Sequence, residues 1–145
     1  MLIQEVLDIK GAGETYTVAP DAPLEEAVRR LVEHGIGSLV VMRGDDLVGY
    51  LTERDILRGL RARGCSLEGV MVEALMERQP LIASPDDSVD YARDVMTKNR
   101  VSHLIVHDGT RLVGVMSFHD VARASLKEAS FENALLKRYI KHWPE

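Results

Sequence analysis

Apolar residues along this chain follow two rhythms, and the rhythms alternate in a fixed order. Leu24, Ala27, Val28, Leu31 and Val32 recur at i, i+3, i+4, i+7 and i+8, the stripe of an amphipathic helix. Asp21 is placed to cap that helix, Pro23 falls in its first turn, and Glu25 and Glu26 lie near the positive end of its dipole. Residues 38–42 then read as a buried strand, 43–46 as a turn, 47–51 as a second strand and 53–62 as a second helix. Gly44 suits a turn backbone with positive φ.

The whole pattern occurs twice. Residues 20–57 align without gaps to residues 85–122 at a constant offset of 65. Identities include Pro20/Pro85, Asp21/Asp86, Ala27/Ala92, Leu39/Leu104, Gly44/Gly109, Gly49/Gly114 and Asp55/Asp120. The second copy therefore predicts a helix over 89–98, strands over 103–107 and 111–116, and a helix over 119–127. The lead-in repeats less closely: Ile3, Val6 and Leu7 resemble Val72, Leu75 and Met76 at an offset of 69. The first copy thus carries about four extra residues, placed in the glycine-bearing stretch 10–13. Each copy is strand–helix–strand–strand–helix in about 55 residues, too small a core to stand alone. The expected fold is α/β (α+β), with two βαββα copies packed sheet to sheet in pseudo-twofold symmetry.

Charge and composition narrow the partners. The chain has 145 residues and a net charge of −5 from 18 basic and 23 acidic side chains, which argues against a nucleic-acid partner. Arg54, Arg58, Arg61 and Arg63 read as one solvated helix face. No apolar run reaches the ~20 residues that span a bilayer. Gln4, Glu5 and Asp8 interrupt what would be the apolar core of a leader. A single cysteine, Cys65, fits a reducing compartment. A cytoplasmic location with no membrane partner is expected.

Thr52-x-x-Asp55 and Ser117-x-x-Asp120 stand where the last helix of each copy begins, and there they read as capping boxes. His103 and His107 lie on one face of a predicted strand, ~13 Å apart, so no metal site is expected. Cys65 beside Gly64 reads as linker, because no nearby histidine would activate it. Met42, Met71, Met76, Met96 and Met116 read as core or interface packing. Beyond the repeat, Phe131, Leu135 and Tyr139 recur every four residues, with Leu136 and Ile140 in a second row. Residues 128–145 thus predict a separate amphipathic helix, with Ser130 at its start, Lys137, Arg138 and Lys141 near its end and Pro144 just beyond. It docks on its own domain or belongs to a homodimer interface.

The strings Gly49-Tyr50-Leu51-Thr52-Glu53-Arg54-Asp55 and Gly114-Val115-Met116-Ser117-Phe118-His119-Asp120, in tandem copies, resemble the Gly-h-h-Thr/Ser-x-x-Asp signature of the CBS domain, where h is apolar. The resemblance covers residues 1–127, with 1–65 as one repeat and 66–127 as the next, and marks a stand-alone CBS pair. The strand after the first helix departs from the family's frequent Leu-Pro-Val, reading Leu39-Val40-Val41 and Leu104-Ile105-Val106. The resemblance implies an adenine ligand (AMP, ADP, ATP, NAD or S-adenosylmethionine) in clefts between the repeats. The signature carboxylate would accept the ribose hydroxyls, and the Thr or Ser would contact a phosphate. Those roles fall on Asp55 with Thr52, and on Asp120 with Ser117. A carboxylate accepts without donating, and a helix N-terminus favours phosphate, so the chemistry is sound.

By the same resemblance Arg54 occupies a phosphate-reaching position, and His119 its equivalent. The Thr52/Asp55 site is therefore expected to favour more phosphate than its twin. The implied adenine pocket maps to Tyr16, Thr17, Val18, Ile36, Gly37 and Ser38, and to Leu81, Ile82, Val101, Ser102 and His103, with Met116 of the second signature counted among the nucleotide-binding residues. The implied function is regulatory, with no catalytic residue and no catalytic cofactor, acting through a homodimer on a separate effector protein. The alternative is a non-liganded dimerisation scaffold. An enzyme such as IMP dehydrogenase, which also carries CBS domains, would need a barrel of roughly 250 residues in addition.

Overall fold

The computed structural model describes residues 1–10 and 15–141, with side chains described to residue 138. Its chain divides into two compact units: Glu14–Ile82 with Thr110–Leu112, and Met1–Gly13 with Ala83–Gly109 and Val113–Glu145. Each contains one of the duplicated segments.

In the first unit, strand β1 (Thr17–Val18) leads to helix α2 (Leu24–His34), strands β2 (Ser38–Arg43) and β3 (Asp46–Thr52), and helix α3 (Glu53–Ala62); helix α1 (Ile3–Lys10) lies earlier in the chain. The sheet order is β1-β2-β3, with β1 parallel and β3 antiparallel to β2. Gly44 and Asp45 alone join β2 to β3, and Gly44 has φ +62°, the left-handed backbone that glycine adopts without strain. The register slips between Val41 and Met42, leaving Val48 as the extra residue of a bulge. Leu24, Ala27, Leu39, Val41, Leu51 and Val72 fill the core.

Val72 comes from a one-turn helix, α4 (Val72–Leu75), in the lead-in to the second copy. That lead-in is held to the first copy by backbone bonds, among them Val72 N to Ala22 O at 3.0 Å and Glu77 N to Tyr50 O at 2.8 Å. It also changes how α2 starts. Asp21 was the expected cap, but the N-cap is Pro23, which makes no side-chain bond. The Leu24 N–H instead donates to the Val70 carbonyl at 2.8 Å, so a tertiary contact replaces the local one.

The second unit repeats this plan with strand β4 (Ile82–Ala83), helix α5 (Val89–Asn99), strands β5 (His103–His107) and β6 (Leu112–Ser117), and helix α6 (Phe118–Lys141). Its sheet order is β4-β5-β6. Here Ser88, at the position equivalent to Pro23, caps α5 by accepting the Tyr91 N–H at 3.1 Å. The lead-in is helix α1 (Ile3–Lys10), from the start of the chain. Its Ile3 and Val6 are buried, and its Ile3 and Gln4 N–H groups donate to the Asp87 and Pro85 carbonyls. Each lead-in thus packs in the unit that holds the other copy.

The separate helix expected from Ser130 is not separate. α6 runs unbroken for 24 residues. No glycine or proline lies between Lys127 and Lys141 to stop it, and serine costs only tenths of a kcal/mol within a helix. Val121 and Ala124 on α6 are buried, whereas Leu126, Phe131, Leu135 and Leu136 are exposed. The inserted residues 11–13, Pro144 and the side chains of Tyr139, Ile140 and Lys141 lie outside the described residues. Among the described residues, no helix is long and apolar enough to cross a membrane.

Candidate functional site

In the first copy, β3 passes into α3 through Thr52, whose backbone is extended while Glu53 is already helical. Two reciprocal bonds fix the junction: Thr52 N donates to Asp55 Oδ2 at 3.0 Å, and Asp55 N donates to Thr52 Oγ1 at 3.2 Å. This is a capping box with aspartate as its acid. Glu53 N, the next free donor, bonds the Gly37 carbonyl at 3.0 Å. A Cβ on Gly37 would lie 2.9 Å from Glu53 Oε1, so this loop and the helix start approach closely. Ser38 pairs with Thr52 across the sheet, and its hydroxyl bonds the Tyr50 hydroxyl. Burial pushes the Tyr50 phenol up to about 12; the Ser38 bond opposes the shift and the Asp55 charge adds to it.

The sheet therefore gathers Gly37, Ser38, Thr52 and Asp55 at one end. Tyr16 stands one strand over, its carbonyl accepting the Val40 N–H at 3.3 Å. Its ring stacks on His34, 3.9 Å between centroids and 17° between planes. The Thr17 carbonyl accepts from Arg30 Nη1 at 2.6 Å. Val18 is buried in the core, Ile36 is half-buried where α2 gives way to β2, and Arg54 is exposed.

The second copy builds the same junction. Ser117 N donates to Asp120 Oδ2 at 2.9 Å, Asp120 N donates to Ser117 Oγ at 3.0 Å, and Phe118 N donates to the Ser102 carbonyl at 2.8 Å. Val101 N closes the end of α5 on the Met96 carbonyl at 3.0 Å, and Ser102 Oγ lies 3.0 Å from His103 Nδ1. Met116 is wholly buried, so its side chain serves the core. His119 is exposed and Nε2 accepts from Arg123 Nη2 at 2.9 Å, since a guanidinium only donates. Leu81 precedes β4 and Ile82 opens it; both fall in the compact unit of the first copy, while Ala83 begins the other unit.

One partner has no counterpart in the first copy among the described residues. Lys10 Nζ donates to Asp120 Oδ2 at 3.0 Å and to the Val115 carbonyl at 3.1 Å. Burial pushes the Asp120 carboxyl up, but bonds from the Ser117 backbone, Lys10 and the Ser117 side chain, together with the lysine charge, outweigh it. The carboxyl is held below its ordinary value. Sequence reasoning missed Lys10 and His34, because neither belongs to a motif and both act through tertiary placement.

Each capping aspartate gives one oxygen to its own helix start. A carboxylate offers about four acceptor positions, so a cap leaves capacity for further donors. Among the described residues, Asp55 receives only the Thr52 N–H, and no ion pair involves it. A Thr or Ser hydroxyl, a partly free carboxylate and a helix N-terminus suit a ligand carrying both hydroxyls and anionic groups.

The CBS-domain family model matches residues 12–62 and 72–127. The chain belongs to the CBS-domain family. A mitochondrial CBS domain-containing protein of Arabidopsis thaliana is 31% identical over 147 residues, covering 96% of this chain and 71% of that protein. A solved CBS-domain protein from Agrobacterium tumefaciens aligns at TM-score 0.78 and 30% identity, over 86% of this chain and 98% of its own. A further CBS structure, solved in complex with AMP, aligns at TM-score 0.69 and 24% identity, over 80% of this chain and 90% of its own, and shares the fold. The two capping junctions are the CBS signatures of the two repeats.

Proposed function

We propose that this CBS pair is a regulatory module that binds an adenine nucleotide and signals to a separate effector protein, with no reaction of its own. Asp55 and Asp120 accept ribose hydroxyls, Thr52 and Ser117 contact a phosphate where the ligand has one, and Arg54 adds a guanidinium beside the first site. Tyr16, Thr17, Val18, Ile36, Gly37 and Ser38 of the first copy and Leu81, Ile82 and 101–103 of the second would supply the adenine surroundings, largely through backbone at the buried positions. The supporting observation is that both repeats hold a hydroxyl and a carboxylate in the same reciprocal geometry, and that Asp55 has acceptor capacity beyond its cap. The AMP complex of a neighbouring CBS structure makes AMP the first ligand to test. Thermal melting with AMP, ADP, ATP, NAD and S-adenosylmethionine, each against guanosine nucleotides, tests the reading. A ligand at 100 times its dissociation constant stabilises by ~2.7 kcal/mol. A flat response across the adenine panel overturns it.

A second reading has its own support. Phe131 and Leu135 continue the face of α6 that carries the buried Val121 and Ala124, yet they are 66% and 48% exposed. An exposed apolar row of this kind suits a homodimer interface, with dimerisation itself as the module's product. Sedimentation of Phe131→Glu and Leu135→Glu separates the readings: a scaffold loses its dimer and shows no nucleotide response before or after.

A further inference from the structure

We infer that Lys10 is a latch on the second ribose carboxylate, which makes the two repeats unequal as nucleoside sites. The inference rests on the nucleotide reading above. Lys10 Nζ stands 3.0 Å from Asp120 Oδ2 and is fastened on its other side to the Val115 carbonyl at 3.1 Å. Asp55 has no such cation among the described residues.

The difference comes from the lead-in helices. α1 has eight residues and α4 has four. Ile3, Val6 and Lys10 fall on one face of α1 at i, i+3 and i+7; burial of Ile3 and Val6 seats the helix, and its last turn carries the ammonium to Asp120. In the first copy the helix stops at Leu75, because Met76 turns extended and Glu77 pairs with Tyr50 across the edge of β3. The residue in register with Lys10 is Gln79, at the offset of 69, and it is uncharged.

A ribose binds such a site by donating two hydroxyls to the carboxylate. At Asp120 one oxygen already takes both the Ser117 N–H and the ammonium. A hydroxyl on the carboxylate makes a bond that is charged on one side, whereas the ammonium makes one charged on both, so a sugar that needs Oδ2 competes at a disadvantage. Val6, Ile9, Ala124, Arg123 and Lys127 line the same cleft, and among the described residues Asp120 is its one acid, so the ammonium has no second described carboxylate there to move to. The first repeat therefore fills first, and the second offers both carboxylate oxygens to a ribose only when ligand displaces Lys10 from Oδ2, Oδ1 alone being open before that.

Calorimetric titration of the full chain with adenosine, which carries no phosphate to engage the lysine, tests the latch. Asp55→Asn silences the first site while keeping an acceptor for the Thr52 N–H. In that background Lys10→Met, which retains the aliphatic stem, is expected to tighten adenosine binding about fivefold, the upper range for a partly exposed ion pair. Lys10→Arg, which keeps the charge, is expected to leave it unchanged. Equal or weaker binding in Lys10→Met overturns the latch and leaves the nucleotide reading intact. So does binding that is present in wild type and absent from both Asp55→Asn proteins. No adenosine or AMP binding to wild type or any variant overturns both.

Discussion

Asp55 and Thr52 hold each other across the first turn of α3, each side chain accepting the other's backbone N–H, at 3.0 and 3.2 Å. Removing either partner leaves a helix-start donor without its acceptor. Thr52→Ala and Asp55→Ala are each expected to cost ~1 kcal/mol in urea denaturation without ligand. Asp55→Asn should cost less, because its amide oxygen still accepts. No loss in either alanine variant would mean that the junction is held by other bonds. The intrinsic cost also fixes the reference against which any ligand-dependent loss is read.

Arg100 stands where the first repeat has Gly35, and both adopt the left-handed backbone, with φ of 53° and 60°. Both end their helices by the same bonds: Ile36 N reaches Leu31 O and Val101 N reaches Met96 O, each at 3.0 Å. A side chain is strained there and glycine is not. Arg100→Gly is expected to raise the melting temperature, by a stabilisation of up to ~1 kcal/mol after the flexibility it adds to the unfolded chain. A lower melting temperature would show that the arginine side chain contributes more than its backbone costs.

Gly49 has no such freedom to change. A Cβ there would lie 2.6 Å from the Met76 sulfur and 2.9 Å from the Glu77 carbonyl oxygen, where the lead-in chain pairs with β3. Because one neighbour is backbone, Gly49→Ala is expected to destabilise by ~1–3 kcal/mol. At Gly59 the three atoms nearest an added Cβ are the branched end of Leu75, which can turn aside, so Gly59→Ala should cost less. Denaturant midpoints of the two variants compare them directly, and the reverse order would contradict the pairing.

Two acids, the buried Tyr50 and the partly buried Asp120, set opposite limits of pH. The Tyr50 phenol, raised from 10.0 to about 12, keeps its proton longer in the folded state than in the unfolded. Its contribution is present below pH 10 and is lost as pH rises from there through about 12. Asp120 is lowered from 3.8, so the unfolded chain takes up its proton first. Its contribution is present above the unfolded value and is lost as pH falls through the folded one. Urea melts across pH should show Tyr50→Phe flattening the alkaline limb and Lys10→Met flattening the acid limb. Unchanged limbs would contradict the assignments.

Much of the fold follows from local pattern. The gapless offset of 65 predicts the order of elements in both repeats, and the observed α3 and β5 match the ranges read from periodicity. The misreadings are tertiary. Asp21 looks like a cap until the Val70 carbonyl is found serving the first N–H of α2. Ser130 looks like a start until α6 is seen to run through it. Similarity of the two lead-ins says nothing about which copy each packs on, so the exchange was hidden, and with it Lys10. The signature aspartates are visible because spacing defines them; the cation that distinguishes them is 110 residues away in the chain.

The central claim is that the signature carboxylates bind an adenine nucleotide. The most direct test is calorimetric titration of AMP into the full chain and into the double variant Asp55→Asn with Asp120→Asn, after thermal melting has confirmed that the variant is folded. Saturable binding to the wild type that is lost in the double variant is the predicted result. Binding of equal affinity in both proteins, or no binding to the wild type, would contradict it.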